Sequence, residues 1–351
     1  MPSGFQPKFF FACCQVGAEA ALKEEIARDQ PELRFAYSRP GFLTFKLAEG
    51  TDPARLELRS VFARAWGFSV GKATPAEIAN LANELRAEDG KSPHLHVWER
   101  DRHPPGEEPK GYVRGALEHD AVTLIRAAGA EFSKKDRPGP GETVIDVILL
   151  EPGELWLGFH RQSSGHSLYA GGIPPIEFPS DAPSRAYLKL EEALLWSQAP
   201  FAKGDVAVEI GSAPGGASFA MLKRGLKVVG IDPGEMAPIV ARDPGFTWIQ
   251  RPVAQVPREE LPESVQWLCV DMNINPNNAL FAVDRLATRM KDSLLGVMLT
   301  LKLNEWRMTA EIPLMLEHVK AMGMKRVRAT QLFHNRQEIF VYGLTRKGML
   351  R

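Results

Sequence analysis

From residue 181 to residue 344, short apolar runs alternate with amphipathic stretches. Val206–Ile210, Lys227–Ile231, Phe246–Ile249, Val265–Val270 and Leu295–Leu301 are brief runs rich in branched and aromatic residues, the pattern of strands buried on both faces. Between and around them, helices are predicted from Pro183 to about Ser197, from Gly216 to about Arg224, over Asn278–Lys291 and over Ala310–Met322, with Asp181 or Ser184 placed to cap the first. Regular alternation of β and α elements implies a parallel, doubly wound sheet. The last two predicted strands, Arg326–Phe333 and Glu338–Leu344, have no helix between them and are expected to pair antiparallel.

The first half of the chain reads differently. Lys8–Cys14 is an apolar strand, followed by a helix over Ala18–Ala27 with apolar positions at Ala21, Leu22 and Ile26. Strands at Leu33–Tyr37 and Phe42–Leu47 flank a Ser-Arg-Pro-Gly turn, which makes a small β-α-β-β unit. A second stretch holds a strand at His94–Glu99, a Pro/Gly/charge-rich loop over 100–111, a helix near Ala116–Ala128 and strands at Thr143–Leu150 and Leu155–Phe159. From Arg161 to Ser180 the composition shifts to Ser, Gly and Pro, so this segment is expected to link two halves.

Length and charge refine this division. A chain of 351 residues fits two or three domains. Hydrophobic residues make up 44% of it and charged residues 25%, ordinary for a soluble globular protein. No apolar run of about 18 residues suggests a membrane span, and the N-terminus lacks the pattern of a secretory signal. Cys13, Cys14 and Cys269 are too few for a disulfide framework, and none of the eight histidines shows zinc spacing; His94 and His96 are expected to be structural, and no metal is expected. These features point to a cytoplasmic protein. The formal net charge is zero, yet residues 301–351 carry ten basic and four acidic side chains, a local +6 set against −6 over the rest. Such an asymmetry leaves a nucleic-acid partner open despite the neutral total. Lys134, Lys135 and Arg137, the set Lys325, Arg326, Arg328 and Arg336, and the tail pair Arg346 and Lys347 are the candidate phosphate contacts.

Two constellations carry chemistry. The first is Glu209-Ile-Gly211-Ser212-Ala213-Pro214-Gly215-Gly216, an acid near a strand end followed by a glycine-rich turn into a helix. In open α/β sheets ligands sit outside the carboxyl ends of strands, and Asp232 ends the next strand where a ribose diol would be held. The G-x-x-x-G-G spacing differs from the dinucleotide fingerprint and disfavours a nicotinamide-dependent dehydrogenase. The second constellation is dispersed: Lys189 on the helix that opens the C-terminal half, Asp271 and Lys302 at two strand ends, and Glu338 at the start of the last strand. One lysine of such a set could deprotonate a hydroxyl if burial and a neighbouring ammonium lowered its pKa, with the other three groups holding it in place.

With these residues in view, Asp181–Leu344 resembles the ribose 2′-O-methyltransferases that have a Rossmann-like fold and a Lys-Asp-Lys-Glu tetrad. The segment Phe178-Pro-Ser-Asp-Ala-Pro-Ser-Arg185, with Leu188-Lys-Leu-Glu-Glu192, is similar to the bacterial 23S ribosomal RNA ribose 2′-O-methyltransferase M family. The resemblance implies an α/β, Rossmann-like S-adenosylmethionine-dependent methyltransferase domain over 181–351. Ahead of it the family has an α+β region: a small ferredoxin-like unit over 1–60, a THUMP-like RNA-binding domain over 61–165 and a linker over 166–180. It implies catalytic roles for Lys189, Asp271, Lys302 and Glu338, with Lys302 as general base. Cofactor contacts would come from Glu209, Gly211, Ser212, Ala213, Pro214, Gly215, Gly216, Asp232 and Asp271. The implied partner is 23S ribosomal RNA or a large-subunit assembly intermediate, the implied target a cytidine ribose, and no membrane or metal takes part; the chain is expected to act as a monomer. The sequence departs from the family at Glu209, where Asp is usual, at Ala217, where an aromatic is common, and over 250–254, which lacks an acid for the adenine. The rival reading is a non-catalytic RNA-binding or ribosome assembly factor that uses the same surface, or methylation of another RNA.

Overall fold

The computed structural model describes residues 7–103 and 115–351; the first six residues and much of the loop expected over 100–111 lie outside the described residues. The chain forms two compact units, one ending at Pro175 and the other beginning at Ile176, within the Ser/Gly/Pro-rich stretch.

The N-terminal unit is built on one seven-stranded sheet. Its strands are β1 (Phe9–Cys13), β2 (Leu33–Arg39), β3 (Phe42–Leu47), β4 (Ala65–Lys72), β5 (His94–Glu99), β6 (Thr143–Glu151) and β7 (Glu154–Arg161), in the order β2-β3-β1-β4-β7-β6-β5. Only β5 and β6 run parallel. Helices α1 (Glu19–Asp29), α2 (Pro75–Asp89) and α3 (Ala116–Ala127) complete the unit. One side of the core gathers Phe11, Cys13, Phe42, Trp98, Ile148 and Leu150. Cys13 is 3% exposed, and burial pushes its thiol up to about 12, so it is an apolar filler rather than a nucleophile.

Three histidines of this unit, His96, His160 and His166, cluster beside one buried carboxylate. Asp146, on β6, accepts from His160 Nδ1 at 2.5 Å, and His96 Nδ1 lies 3.8 Å from its other oxygen. His166 stacks on His160 with ring centroids 4.1 Å apart and on Trp66 at 3.6 Å. Its Nδ1 faces Ser163 Oγ at 2.9 Å, while Nε2 is buried with no hydrogen-bond partner among the described residues. A proton at Nε2 would therefore be a buried N–H without an acceptor. Burial first, then the charges of His160 and His96, pull the pKa of His166 down to about 2.

This has a measurable consequence. In the unfolded chain the ring titrates near its ordinary 6.5, so below that pH the unfolded state holds a proton that the native state refuses. The stability this group contributes is complete above about pH 6.5 and falls by about 1.4 kcal/mol per unit below it. Asp146, pushed up by burial against the pull of His160, works in the opposite sense. The comparison of wild type with His166→Asn isolates the histidine: the variant is expected to lose less stability between about pH 6.5 and 4.5. Chemical unfolding monitored across that range checks it, and parallel curves would sink the assignment.

The C-terminal unit is the expected doubly wound sheet. Strands β8 (Val206–Ile210), β9 (Lys227–Ile231), β10 (Phe246–Ile249), β11 (Trp267–Asp271), β12 (Gly296–Lys302), β13 (Arg326–Thr330) and β14 (Glu338–Leu344) follow the order β10-β9-β8-β11-β12-β14-β13. The first five run parallel, and β14 lies antiparallel between β12 and β13. The helices are α4 (Ala186–Ser197), α5 (Gly216–Lys223), α6 (Pro238–Ala241), α7 (Pro276–Met290), α8 (Ile312–Ala321) and α9 (Arg346–Met349). Under α4 and α5 the sheet packs Ala207, Trp267, Cys269, Met298 and Phe340 into a continuous apolar core.

The expected cap of α4 is not made. The helix starts at Ala186, its N-cap is Arg185 with no side-chain cap hydrogen bond, and Asp181 instead lies 3.7 Å from Lys223 Nζ. The Ser184 carbonyl takes the N–H of Tyr187 at 3.1 Å, so backbone serves the first turn.

Candidate active site

The four dispersed residues meet at the carboxyl edge of the parallel strands. Asp271 ends β11 and Lys302 ends β12, its neighbour. Antiparallel register then sets Glu338, the first residue of β14, directly opposite Lys302. Lys189 enters from α4, which packs over this edge. Lys189 Nζ lies 2.7 Å from Glu338 Oε1 and 3.2 Å from Asp271 Oδ2. Lys302 Nζ pairs with Glu338 Oε2 and lies 3.5 Å from Asp271 Oδ1. Each ammonium thus faces both carboxylates, and each carboxylate divides its two oxygens between the ammoniums.

Glu338 is 2% exposed. Burial alone would raise its pKa, but Lys189 and Lys302 more than reverse that and hold it below the usual glutamate value. Lys189 shows the mirror balance: burial favours the neutral amine, and Asp271 and Glu338 outweigh it, so its ammonium is held above the ordinary lysine range. One residue that sequence reasoning missed completes the group. Asn335, 1% exposed in the turn before β14, donates through Nδ2 to Glu338 Oε1 at 3.0 Å and accepts from the Leu332 N–H at 3.1 Å. Both partners stand only three residues away, Leu332 before it and Glu338 after it, so an Asn three positions ahead of the tetrad glutamate was the local signal that could have found it.

The glycine-rich turn lies beside the tetrad, and each of its glycines answers to a packing demand. A Cβ at Gly211 would come within 2.5 Å of the Asp271 carbonyl oxygen, and one at Gly215 within 2.8 Å of Val240 Cγ2. A Cβ at Gly216 would come within 2.6 Å of the Ser184 carbonyl oxygen and 2.9 Å of the Tyr187 nitrogen. Gly211 and Gly215 also have φ of 80° and 114°, where a side chain is strained. The turn is therefore drawn tightly against β11, α6 and the start of α4. Gly216→Ala is expected to force α4 and α5 apart and to cost about 1–3 kcal/mol, visible as a melting point lowered by several degrees; an unchanged melting curve would refute the close contact.

Asp232, just past β9, accepts from the Ala213 N–H at 3.1 Å and from the Gly234 N–H at 2.7 Å. A carboxylate has about four lone-pair sites, so this partly exposed side chain retains capacity for a diol. Glu209 behaves differently. It is 2% exposed and accepts from Ser218 Oγ. Burial, opposed by Ser218 and reinforced by Asp271 and Asp232, pushes its carboxyl up to about 8. Near pH 7 it is mostly neutral and adds little fixed negative charge. Between Glu209 and the tetrad lies a cavity of about 30 Å³, lined by Lys189, Asp271, Thr300 and Asn335 among others. At 10–15 Å³ per water it has room for about two.

Residues 182–311 match the FtsJ-like methyltransferase family. The ribosomal RNA large subunit methyltransferase M of Salmonella arizonae is 29% identical over 355 residues, which cover 94% of this chain and 94% of that protein. The protein of the same name from Sodalis glossinidius is 30% identical over 239 residues, 63% of this chain and 62% of that protein's length. The chain is thus similar to these ribosomal RNA methyltransferases over most of its length, and its FtsJ-like match lies over 182–311. Among solved structures, TrmN from Thermus thermophilus aligns with 96% of this chain and 99% of its own, at 14% identity and a TM-score of 0.34, too low a likeness to bear on the argument.

The basic residues singled out in the sequence as candidate phosphate contacts are partly engaged within the chain. Lys135 pairs with Glu142, and Lys347 donates to the Asp292 carbonyl. Arg137 lies over the Tyr169 ring at 5.0 Å and Arg328 over Trp196 at 4.2 Å. Among the described residues, no group of three or more His, Cys, Asp or Glu is arranged to hold a metal ion. No helix among them is long and apolar enough to cross a membrane.

Proposed function

We propose that this methyltransferase places a methyl group from S-adenosylmethionine on the 2′-oxygen of a ribose, that of a cytidine, in large-subunit (23S) ribosomal RNA, with Lys302 as general base. The observation that carries this reading is the convergence of Lys189, Asp271, Lys302 and Glu338 beside the glycine-rich turn. When bound, S-adenosylmethionine supplies an electrophilic methyl group on a sulfonium. The chain's donor set suits it: Asp232, with acceptor capacity left, would hold the ribose diol, and the turn over Gly211–Gly216 would border the methionine end.

The residues divide the remaining work. A ribose hydroxyl is a poor nucleophile at neutral pH, and base assistance contributes about 10²–10⁴-fold. Lys189, whose ammonium the two carboxylates hold above the ordinary range, keeps a positive charge against Asp271 and Glu338. Lys302 is then the member available to take the hydroxyl proton as the oxygen attacks. Glu338 and Asp271 orient its Nζ, and holding oxygen and methyl in line supplies much of the remaining acceleration.

The N-terminal unit, taken as a small α+β piece over 1–60 and a THUMP-like piece over 61–165, with 166–180 as the linker to the methyltransferase domain over 181–351, would engage the RNA in the cytoplasm, with the protein acting as a monomer. The test is mass-spectrometric mapping of ribose methylation in large-subunit RNA from cells lacking the gene and from the same cells with it restored. One cytidine that loses and regains its 2′-O-methyl supports the reading. An unchanged map, together with no transfer from labelled S-adenosylmethionine to undermethylated RNA in vitro, would overturn it.

A further inference from the structure

A buried carboxylate on α4, three residues beyond Lys189, has no place in the tetrad. Glu192 is 3% exposed, and three N–H groups converge on it. Its Oε1 accepts from the Phe333 N–H at 2.7 Å; its Oε2 accepts from the His334 N–H at 2.9 Å and from His334 Nδ1 at 2.7 Å. All three donors belong to the connection between β13 and β14. Three donors with no facing acceptor are what an ionised carboxylate satisfies, and such charge-assisted bonds are the strong ones. A carboxylate withdrawn from water costs several kcal/mol before its partners are counted, so its service to one short turn needs a reason.

The turn itself supplies one. Two residues after Phe333 stands Asn335, which closes the turn on the Leu332 N–H and donates to Glu338 Oε1. Lys189 Nζ reaches the same Glu338 oxygen from α4. Residues three apart on a helix are surface neighbours, so α4 grips the β13–β14 connection twice, directly through Lys189 and from behind through Glu192. The chain Glu192, His334, Asn335, Glu338, Lys189 closes a ring, and Lys302 hangs from its Glu338 corner.

We propose that Glu192 is a positioning residue for methyl transfer: by holding the Phe333–His334 backbone it fixes Asn335 and Glu338, and through Glu338 the place of the Lys302 amine. The proposal rests on the tetrad being catalytic, as argued above. Glu192→Gln is the sharpest probe, because an amide keeps the volume yet turns an N–H₂ toward one of the three donors. A misplacement of about 1 Å at a reacting group costs about 10²-fold in rate, so kcat is expected to fall about 10²-fold. KM and the calorimetric dissociation constant for S-adenosylmethionine should hold within about twofold, the split expected when only the transition state suffers.

Two further measurements separate positioning from plain folding. His334→Asn, whose amide N–H can stand where Nδ1–H stood, is expected to keep most of the rate, and His334→Leu to lose as much as Glu192→Gln. In lysine-labelled protein, the Lys189 signal, assigned with Lys189→Arg, should titrate at lower pH in Glu192→Gln, since Glu338 no longer sits against it. Unchanged kcat with an unchanged Lys189 titration would overturn the proposal, as would parallel loss of cofactor affinity and melting temperature in all three variants. Should the wild type methylate no RNA, the function proposed above fails, and the lysine titration still decides whether Glu192 sets the geometry of the tetrad.

Discussion

Lys302→Ala is expected to lower methyl transfer by about 10³-fold or more while leaving S-adenosylmethionine affinity within about threefold. The rate expectation combines a general base, worth about 10²–10⁴-fold, with the loss of order in Glu338, which would keep its ion pair with Lys189 but lose the one with Lys302. The affinity expectation follows from placement. Asp232 and the turn over Gly211–Gly216 lie on β8 and β9 and the connections after them, with β11 between those strands and Lys302. Single-turnover transfer to undermethylated large-subunit RNA, with calorimetric cofactor titration on the same preparation, reads both quantities. Near-normal turnover would remove Lys302 from its proposed role. Loss of binding and transfer together would assign it to cofactor retention instead.

The second large effect concerns stability and pH at Glu209. Its carboxyl is pushed up to about 8 in the fold and has an ordinary value of 4.5. Between those two values the native state holds a proton that the unfolded chain has released. Stability must then fall as pH rises through that window, by about 1.4 kcal/mol per unit, and level off above about 8. Glu209→Gln removes the titration and keeps an oxygen to accept from Ser218. The variant is expected to be more stable than wild type at pH 8, by up to about 4 kcal/mol, and indistinguishable near pH 4.5. Urea unfolding between about pH 5 and 8.5 compares the two slopes. Equal slopes would mean that Glu209 is already ionised in the native protein.

Much of the C-terminal unit was legible because its signals are local. Apolar runs at Val206–Ile210, Lys227–Ile231 and Phe246–Ile249 became strands with those bounds. The absence of a helix before Glu338 foretold an antiparallel last strand, though not that β14 would insert between β12 and β13. The N-terminal unit is less legible in the sequence, β4 and α2 above all. For β4 the reason is physical. Gly67 and Gly71 interrupt its apolar pattern, and a Cβ at Gly67 would come within 2.7 Å of the Phe159 carbonyl oxygen, a constraint imposed by a strand far along the chain. For α2 the signals were present. Thr74 and Glu77 form a capping box, Pro75 opens the helix and Gly90 closes it in the left-handed conformation. Alanines at 79 and 82 thin its apolar stripe and hide the period.

The sequence by itself determined the alternation of elements, the glycine-rich turn, the acids and lysines at strand ends and the basic excess after residue 300, because each depends on residues close together in the chain. Only the tertiary structure decided which of those residues work together. Glu338 meets Lys302 across 36 positions, Asp271 meets Lys189 across 82, and Glu192 takes the Phe333 N–H across 141. No local propensity encodes such distances; sheet order and register do. The same holds for Glu209, whose neutrality near pH 7 comes from burial beneath α4 and α5, a property of the packed sheet rather than of a glutamate beside glycines.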